Sequence, residues 1–524
     1  MPKVSVIVPV YNPGSDIDEL IESLLGQTLP VEELELVFVD DGSTDGTPAR
    51  LDELAAAHRH VRVQHIPNSG WPGKPRNLGI DMATGDYVFF ADNDDWLERD
   101  ALERLHATAV QDGADVVLGK VVGHGKGVPL RIFESTRHAI GFDSDLLLAL
   151  LTPAKLFRRR LLDERGLRFP EGRRRLEDHV FVVSAYFAAE RISVLADRPV
   201  YHWMRRDEQD NASYQRFDAA AYFDNVREVL DLVEANTVPG PFRDQLLLHW
   251  YRGKMLDRVG GRHWLWRDED FRRELFEAVR PLALERFGED VHERLPFNLR
   301  VRSKLLRRGD FDGLGRLSRF ERRITPVVRV RGIERGGTHV VLRIESWFGK
   351  PGPRLKFERE GKRTFWIPPT EILNQHVPRE DREVTGELRR ASADVLLRNV
   401  DDQSEYLLPA RTEVKLHVDP ESGRVRVRLH TTVPIAPTAA AAGAPLPPGR
   451  WEVRIAPKVA GFRREVPVMR KGEPLVVTTF APGRIVVGEE VPPAPGAAAR
   501  AYRRLPWPAI ATLRRARAVA RRSG

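Results

Sequence analysis

Tyr87-Val88-Phe89-Phe90-Ala91-Asp92-Asn93-Asp94-Asp95 sets an apolar run directly against three carboxylates within four positions. A strand this apolar is normally covered on both faces, as in a parallel sheet with helices on either side. Ligands in open α/β sheets bind just beyond the carboxyl ends of such strands. Carboxylates crowded there repel one another unless a cation shares them. Asp92 and Asp94, two apart around Asn93, offer hard oxygen ligands of the kind Mg²⁺ or Mn²⁺ takes while bridging nucleotide phosphates. An isolated Asp-x-Asp is more often a solvated turn capping the next helix, so other residues have to decide.

Working outward, Val4 to Val10 is almost wholly apolar and rich in β-branched residues. Ile17, Leu20, Ile21, Leu24 and Leu25 then recur at the spacing of one helical face, with Ser15 or Asp16 placed as the cap. Strands are predicted at Glu35 to Val39, Val61 to Ile66 and Asp86 to Ala91, with helices at about 47 to 58 and 75 to 83 between them. This alternation predicts parallel strands with helices on both faces. A second acidic cluster, Asp40-Asp41-Gly42-Ser43-Thr44-Asp45, closes the strand before it. An Asp there can accept hydrogen bonds from a nucleobase, and Gly42 permits close backbone approach.

The rest of the chain divides by texture. From about 120 to 215 the pattern is irregular, reading as an elaboration on the acceptor side. Helical spacing returns in Phe217 to Ala235, Phe242 to Val259 and Phe271 to Phe287. After Arg323 come short β-rich runs separated by Gly and Pro, which predict an antiparallel sandwich. Pro434 to Pro448, with its alanines, reads as a mobile surface loop.

Composition narrows the classes. A chain of 524 residues with 42% hydrophobic and 30% charged residues is that of a multidomain globular protein. No apolar run approaches the ~20 residues needed to span a bilayer. The N-terminus reads as a first strand rather than a signal peptide, so a cytoplasmic protein is expected. With no cysteine, disulfides and thiolate-bound zinc are excluded. The formal charge is +8, and residues 491–524 hold eight arginines and no acidic residue. The excess is a local basic appendage, so no nucleic-acid partner is expected. Interleaved Tyr502, Leu505, Trp507, Ile510, Leu513 and Val519 suit that tail to peripheral contact with the anionic inner face of the plasma membrane, or to a polyanion.

The three motifs Val4 to Asn12, Asp40 to Asp45 and Asp92 to Asp95, in this order, resemble the family-2 nucleotide-sugar glycosyltransferases of GT-A (Rossmann-like) fold. The resemblance covers residues 1 to about 205. It implies that Pro9 and Asp41 contact the base, that Asn68 and Arg76 meet the nucleotide, and that Asp92, with Asn93 beside it, meets the donor ribose or sugar. Asp94 would be the principal metal ligand, for Mn²⁺ or Mg²⁺. In Arg175-Leu176-Glu177-Asp178-His179 the family's Glu-Asp pair implies Asp178 as general base, with Glu177 orienting the acceptor or the base. The polar stretch His202 to Ser213 reads as a lid, in which Arg206 would pair with phosphate and His202 would approach the metal. Asp95 is read as a cap for a helix beginning near Glu98.

The order of a GT-A domain (1–213), a helical linker (214–322), an all-β sandwich (323–490) and a basic tail (491–524) resembles the wall teichoic acid N-acetylglucosaminyltransferases of the TarS/TarP type. That implies inverting, metal-dependent transfer of a sugar, N-acetylglucosamine first, from a UDP-sugar to a hydroxyl of an anionic cell-wall polyol-phosphate or glycan polymer. It also implies a homotrimer through the C-terminal domain. The alternatives are another donor and acceptor pair in polysaccharide synthesis, or a non-catalytic glycan-binding protein.

Overall fold

Because the strands Val4–Val10 and Tyr87–Phe90 are almost wholly apolar, they are expected in the middle of a sheet, and they lie there. The computed structural model describes residues 2–204, 216–336, 339–369, 376–480 and 484–487. Its first unit runs β1 (Val4–Val10), α1 (Ile17–Leu25), β2 (Leu34–Asp40), α2 (Thr47–Ala57), β3 (Val61–His65), α3 (Gly73–Met82), β4 (Tyr87–Phe90), β5 (Trp96–Leu97), α4 (Ala101–Asp112) and β6 (Val116–His124). β7 (Arg137–Ile140), β8 (Leu156–Arg158), α5 (Arg159–Glu164), α6 (Glu177–Ala188) and β9 (Ile192–Met204) complete it. Every residue of β1, β2 and β4 is buried. Asp16 occupies the N-cap position of α1, although its side chain makes no capping bond there.

The nine strands form one sheet in the order β3-β2-β1-β4-β8-β6-β9-β5, with β7 on β9. β3, β2, β1 and β4 are parallel, and β8 runs antiparallel between β4 and β6. The stretch expected to be an irregular elaboration therefore supplies β7, β8, β9 and the end of β6 to the central sheet. Its signal was hidden by a bulge. β9 pairs parallel with β6, but the register slips between Gly119, opposite Leu195, and Lys120, opposite Pro199. Asp197, Arg198 and Pro199 fall at that slip, breaking the apolar run, and Arg104 of α4 holds it by donating to Asp197 Oδ1 (2.7 Å) and Pro199 O (3.0 Å). Bulges bend a strand and raise its twist. Past the bulge, β9 stays paired with β6 and takes β5 on its other edge, pairing Tyr201 with Leu97 and His202 with Trp96 beside the acidic turn.

Helices Ala219–Ala235, Pro241–Trp250, Glu269–Arg286, Phe297–Arg308 and Phe311–Arg323 form the middle unit. Asp218, Asp268 and Asp310 cap three of them by accepting from backbone N–H groups. The single helix expected over Phe242 to Val259 instead ends at Trp250 and continues as a π turn, Tyr251–Met255, and a 3₁₀ turn, Leu256–Val259. Among the described residues the C-terminal region holds two large antiparallel sheets, of six and seven strands, and a two-stranded ribbon, Met469–Arg470 with Glu473–Pro474. Pro434 to Pro448 is not the surface loop expected: Ala440, Ala441 and Leu446 are buried in the core. Alanine side chains are small enough to pack against the sheet without opening a gap.

The β region seats directly on the first unit. Lys120 of β6 is fully buried with its ammonium 4.1 Å from the Tyr406 ring centre and 5.6 Å from that of Phe133, while the Tyr406 hydroxyl donates to Asp197 O (3.0 Å). Burial pulls the Lys120 ammonium down from 10.5 to about 7. Its unfolded state then holds the extra proton between those values, so the cost to stability is complete below about 7 and is relieved as pH rises toward 10.5. Lys120→Met should therefore gain stability relative to the parent at pH about 7, with the difference shrinking at pH about 10, as read by urea unfolding.

Candidate active site

A cleft of about 1560 Å³ opens at the carboxyl ends of β1, β2 and β4. Pro9, Asp41, Asn68, Arg76, Asp92, Asn93, Asp94 and Asp178 all line it. Residues more than a hundred positions apart meet there for an identifiable reason. Arg76, on the first turns of α3, is only 5% exposed and donates to Asp92 Oδ1 (2.8 Å) and to Glu177 Oε1 (3.3 Å). Its guanidinium also lies 5.2 Å from the Phe169 ring centre. One cation thus ties the acidic turn after β4 to the acidic pair that starts α6. Asp92 and Glu177 together hold that guanidinium protonated against the cost of burying it.

α3 is locked in place first. Asn77 donates to Phe169 O (2.9 Å) and accepts from Phe169 N–H (2.8 Å), and a side chain at Gly73 would come within 2.5 Å of Pro170 O. Beneath it Phe90, Phe157, Phe169 and Phe181 make a ring cluster, with Phe169 stacked on Phe181 at 3.9 Å. Each such pair adds roughly 0.5–1.5 kcal/mol beyond its buried area. The floor of the cleft is therefore stiff.

Asp178 is half-buried, and its Oδ1 accepts from the His179 N–H at 2.9 Å. Burial, then the adjacent Glu177 charge, push its carboxyl up to about 7, against the opposing pull of Lys254 and Arg76. Glu177 does not line the cleft; its carboxylate faces Arg76. The residue before the pair, Leu176, is buried with φ of 64°. A left-handed backbone at a non-glycine residue is strained, and such strain gathers at functional sites where packing enforces it. The next residue, His179, is kept neutral by burial, and its Nδ1 accepts from Trp250 Nε1 (3.0 Å).

The cluster after β2 is a clamp as well as a wall. Asp41 accepts from the Ser69 N–H (2.8 Å) and hydroxyl (2.9 Å), while Asn68 Nδ2 donates to Asp41 O (3.0 Å). Gly42, at φ 73°, passes so close to Asn68 that a Cβ would lie 2.6 Å from its nitrogen. The close approach read from the sequence is thus made by the neighbouring loop.

Two expectations are corrected. Asp95 does not cap a helix near Glu98: α4 starts at Ala101 with Asp100 at its N-cap position. Asp95 is 1% exposed and accepts from the Tyr201 hydroxyl (2.8 Å) and the Met204 N–H (2.8 Å). Tyr201 in turn accepts from the Asp92 N–H (3.0 Å), so β9 braces the acidic turn. His202 does not reach toward a metal. It is fully buried, stacked on Trp96 at 3.4 Å, and bonded to Glu98 (3.0 Å) and His124 (2.9 Å), because alternation along β9 turns it away from Trp203, which lines the cleft. Of the expected lid, His202, Trp203 and Met204 belong to β9, and residues 205–213, Arg206 among them, lie outside the described residues.

Sequence reasoning missed the far wall. Lys126, in the loop after β6, stacks its ammonium 5.0 Å from the Trp203 ring centre, and Arg262, His263 and Trp266 reach the cleft from the short helix Gly261–Trp266. Trp266 is 56% exposed, with Arg262 at 4.7 Å from its ring centre. Gly125-Lys126-Gly127 at a strand end was the one available signal; an exposed Trp on a linker helix carried none until the helix was placed. Buried Lys155, pulled down to about 7 by burial, stands near Asp178 and was also missed.

A half-parallel sheet with both carboxylate sets gathered at one edge is the GT-A arrangement of nucleotide-sugar enzymes. Residues 5–197 match glycosyl transferase family 2, and residues 219–318 match the glycosyl transferase TarS linker domain. The chain is 30% identical over 265 residues to poly(ribitol-phosphate) beta-N-acetylglucosaminyltransferase TarP of Staphylococcus aureus, covering 49% of this chain and 80% of TarP. It is 38% identical over 207 residues to poly(ribitol-phosphate) beta-glucosyltransferase of Bacillus spizizenii, a match spanning 39% of this chain and 33% of that enzyme. The crystal structure of S. aureus TarS 1–349 in complex with UDP-GlcNAc superposes with a TM-score of 0.53 at 27% identity, over 67% of this chain and 98% of that one. The chain belongs to the family-2 glycosyltransferases, in their TarS/TarP-like group.

If Arg76 is what joins the two acidic sets, removing it strands a buried carboxylate. Arg76→Met should lower stability by roughly 3–5 kcal/mol in urea unfolding. Tyr201→Phe, which removes only the hydroxyl between Asp92 and Asp95, should cost about 1–3 kcal/mol in the same assay.

Proposed function

We propose that this protein is an inverting glycosyltransferase that moves a sugar from a UDP-sugar to a hydroxyl of a polyol-phosphate polymer. The observation that carries the reading is the Arg76 bridge, which sets Asp94 and Asp178 on the walls of one cleft. The cleft exceeds the ~300–1,000 Å³ of an ordinary small-ligand pocket, leaving room for a donor and an acceptor unit together.

In this reading Pro9, Asp41 and Asn68 bound the nucleoside end, and Asp92 with Asn93 faces the donor ribose or sugar. Asp178 takes the proton of the acceptor hydroxyl as its oxygen bonds to the anomeric carbon and the bond from that carbon to the UDP oxygen breaks. One displacement at that carbon inverts it. Glu177, held by Arg76, keeps the start of α6 and hence Asp178 in position. Arg262, Arg173 and Lys126 give the acceptor side of the cleft positive charge suited to phosphodiesters.

The donor set fits a divalent cation shared with substrate. Among the described residues no three His, Cys, Asp or Glu are grouped to hold a metal alone. Asp94, with Asp92 beside it, supplies the one or two carboxylates that Mg²⁺ or Mn²⁺ takes when phosphates and water complete its shell. Such an ion would stabilise the charge of the departing diphosphate. N-acetylglucosamine is the first choice of sugar, supported by the UDP-GlcNAc complex of TarS, whereas the Bacillus relative is named for glucose. No helix among the described residues is long and apolar enough to cross a membrane, in keeping with work on a cytoplasmic nucleotide sugar.

Transfer from UDP-GlcNAc and UDP-glucose to poly(ribitol phosphate) should fall by about 10²-fold or more in Asp178→Asn and in Asp94→Ala, and on chelation with EDTA. Unchanged turnover in either variant would sink the assignment. Since the base works only when deprotonated, kcat/KM should fall as pH drops below about 7. Lys254→Met, removing a charge that lowers the Asp178 pKa, should move that limb to higher pH.

A further inference from the structure

Four arginines stand on one face of the helix Phe311–Arg323. Arg316, Arg319, Arg322 and Arg323, with Leu265, line a depression of about 350 Å³ outside the cleft. Their spacing of three, six and seven places them together, and at 1.5 Å per residue they cover about 10 Å of the helix axis, a line of charge rather than a point. Among the described residues none of the four side chains has an acidic partner, whereas the preceding helix neutralises its own: Arg300 pairs with Glu387, Arg302 with Glu321 and Asp257, Arg308 with Asp381.

The helix dipole explains only part of this. Arg322 and Arg323 sit in the last turn, where cations are favourable, and Arg464 donates to Arg322 O and Ile324 O at the same end. Arg316 and Arg319 lie before that turn, where the dipole gives no account of them. One short helix contributes residues to both the depression and the active cleft. On the helix Gly261–Trp266, Arg262, His263 and Trp266 line the cleft and Leu265 lines the arginine depression.

We propose that this arginine face is a distal subsite for a polyanionic acceptor, holding phosphodiester units of the chain beyond the one whose hydroxyl is in the cleft. The inference rests on the transferase reading above and names where the rest of that polymer lies. A concave surface with a single apolar residue suits a flexible phosphodiester chain better than a bilayer, which would call for apolar residues to insert. Distributed positive charge raises both the local concentration of a polyanion and its rate of encounter.

The test uses Arg319→Glu with Arg322→Glu in the full chain, both at exposed positions. With long poly(ribitol phosphate) as acceptor, KM should rise about tenfold or more with kcat little changed, and that KM should lose much of its salt dependence. With a single ribitol-phosphate unit as acceptor, KM should be unchanged. An unchanged long-chain KM, or equal losses with long and short acceptors, overturns the proposal. So does binding of the parent to phosphatidylglycerol vesicles that the variant loses while its polymer KM stays the same, which would make the face a membrane contact. Direct binding of the polymer, measured in an Asp178→Asn background, separates the two readings. Binding that depends on the arginines without transfer by the parent supports the subsite and sinks the transferase assignment, and binding that ignores them overturns the subsite.

Discussion

A single guanidinium carries the arrangement on which the rest depends. Arg76 is removed from water, and an unpaired cation there would cost several kcal/mol. It survives because Asp92 and Glu177, from two distant stretches of chain, converge on it. The convergence constrains much else. α3 must be held by Asn77 against the 169–171 segment, α6 must begin at a strained Leu176, and the aromatic floor under both must stay rigid. Asp178 inherits its raised pKa from the same crowding, because burial and the Glu177 charge both disfavour its ionised form.

The parts of the fold that could be read from the sequence were those where burial leaves an unbroken mark. β1, β2 and β4 are covered on both faces, so their apolar runs and the acidic turns that end them stand out at once. β9 does not stand out. It is one strand in space but two in pattern, split by the polar bulge at Asp197 to Pro199, and its identity depends on pairing with β6 and β5 rather than on its own residues. Asp95 was misread for the same reason: its spacing from Glu98 suits a cap, and only the passage of Tyr201 overhead shows that its carboxylate is spoken for.

The site divides along the same line. The acidic clusters at Asp41 and at Asp92 and Asp94 were legible as cleft residues because the position of a strand end is itself a prediction about ligand contact, whereas Pro9 and Asn68 were named through the family resemblance. Glu177 and Asp178 needed the family resemblance, since an acidic pair at a helix start is ordinary chemistry. Arg262 and Trp266 could not be found at all, because what brings them to the cleft is the packing of a linker helix that carries no local signature, while Lys126 was marked only by the glycines on either side of it at a strand end.

The hydrogen bond from Trp250 to His179 has a consequence for how such proteins can change. A composition break near residue 214 marks a textual seam, yet the indole that steadies the helix bearing Asp178 belongs to the far side of it. Exchange of either partner alone leaves a buried ring nitrogen of the other without this hydrogen bond. A catalytic module joined to a foreign helical module would keep this support for the helix bearing Asp178 where the new module brought an equivalent donor to His179.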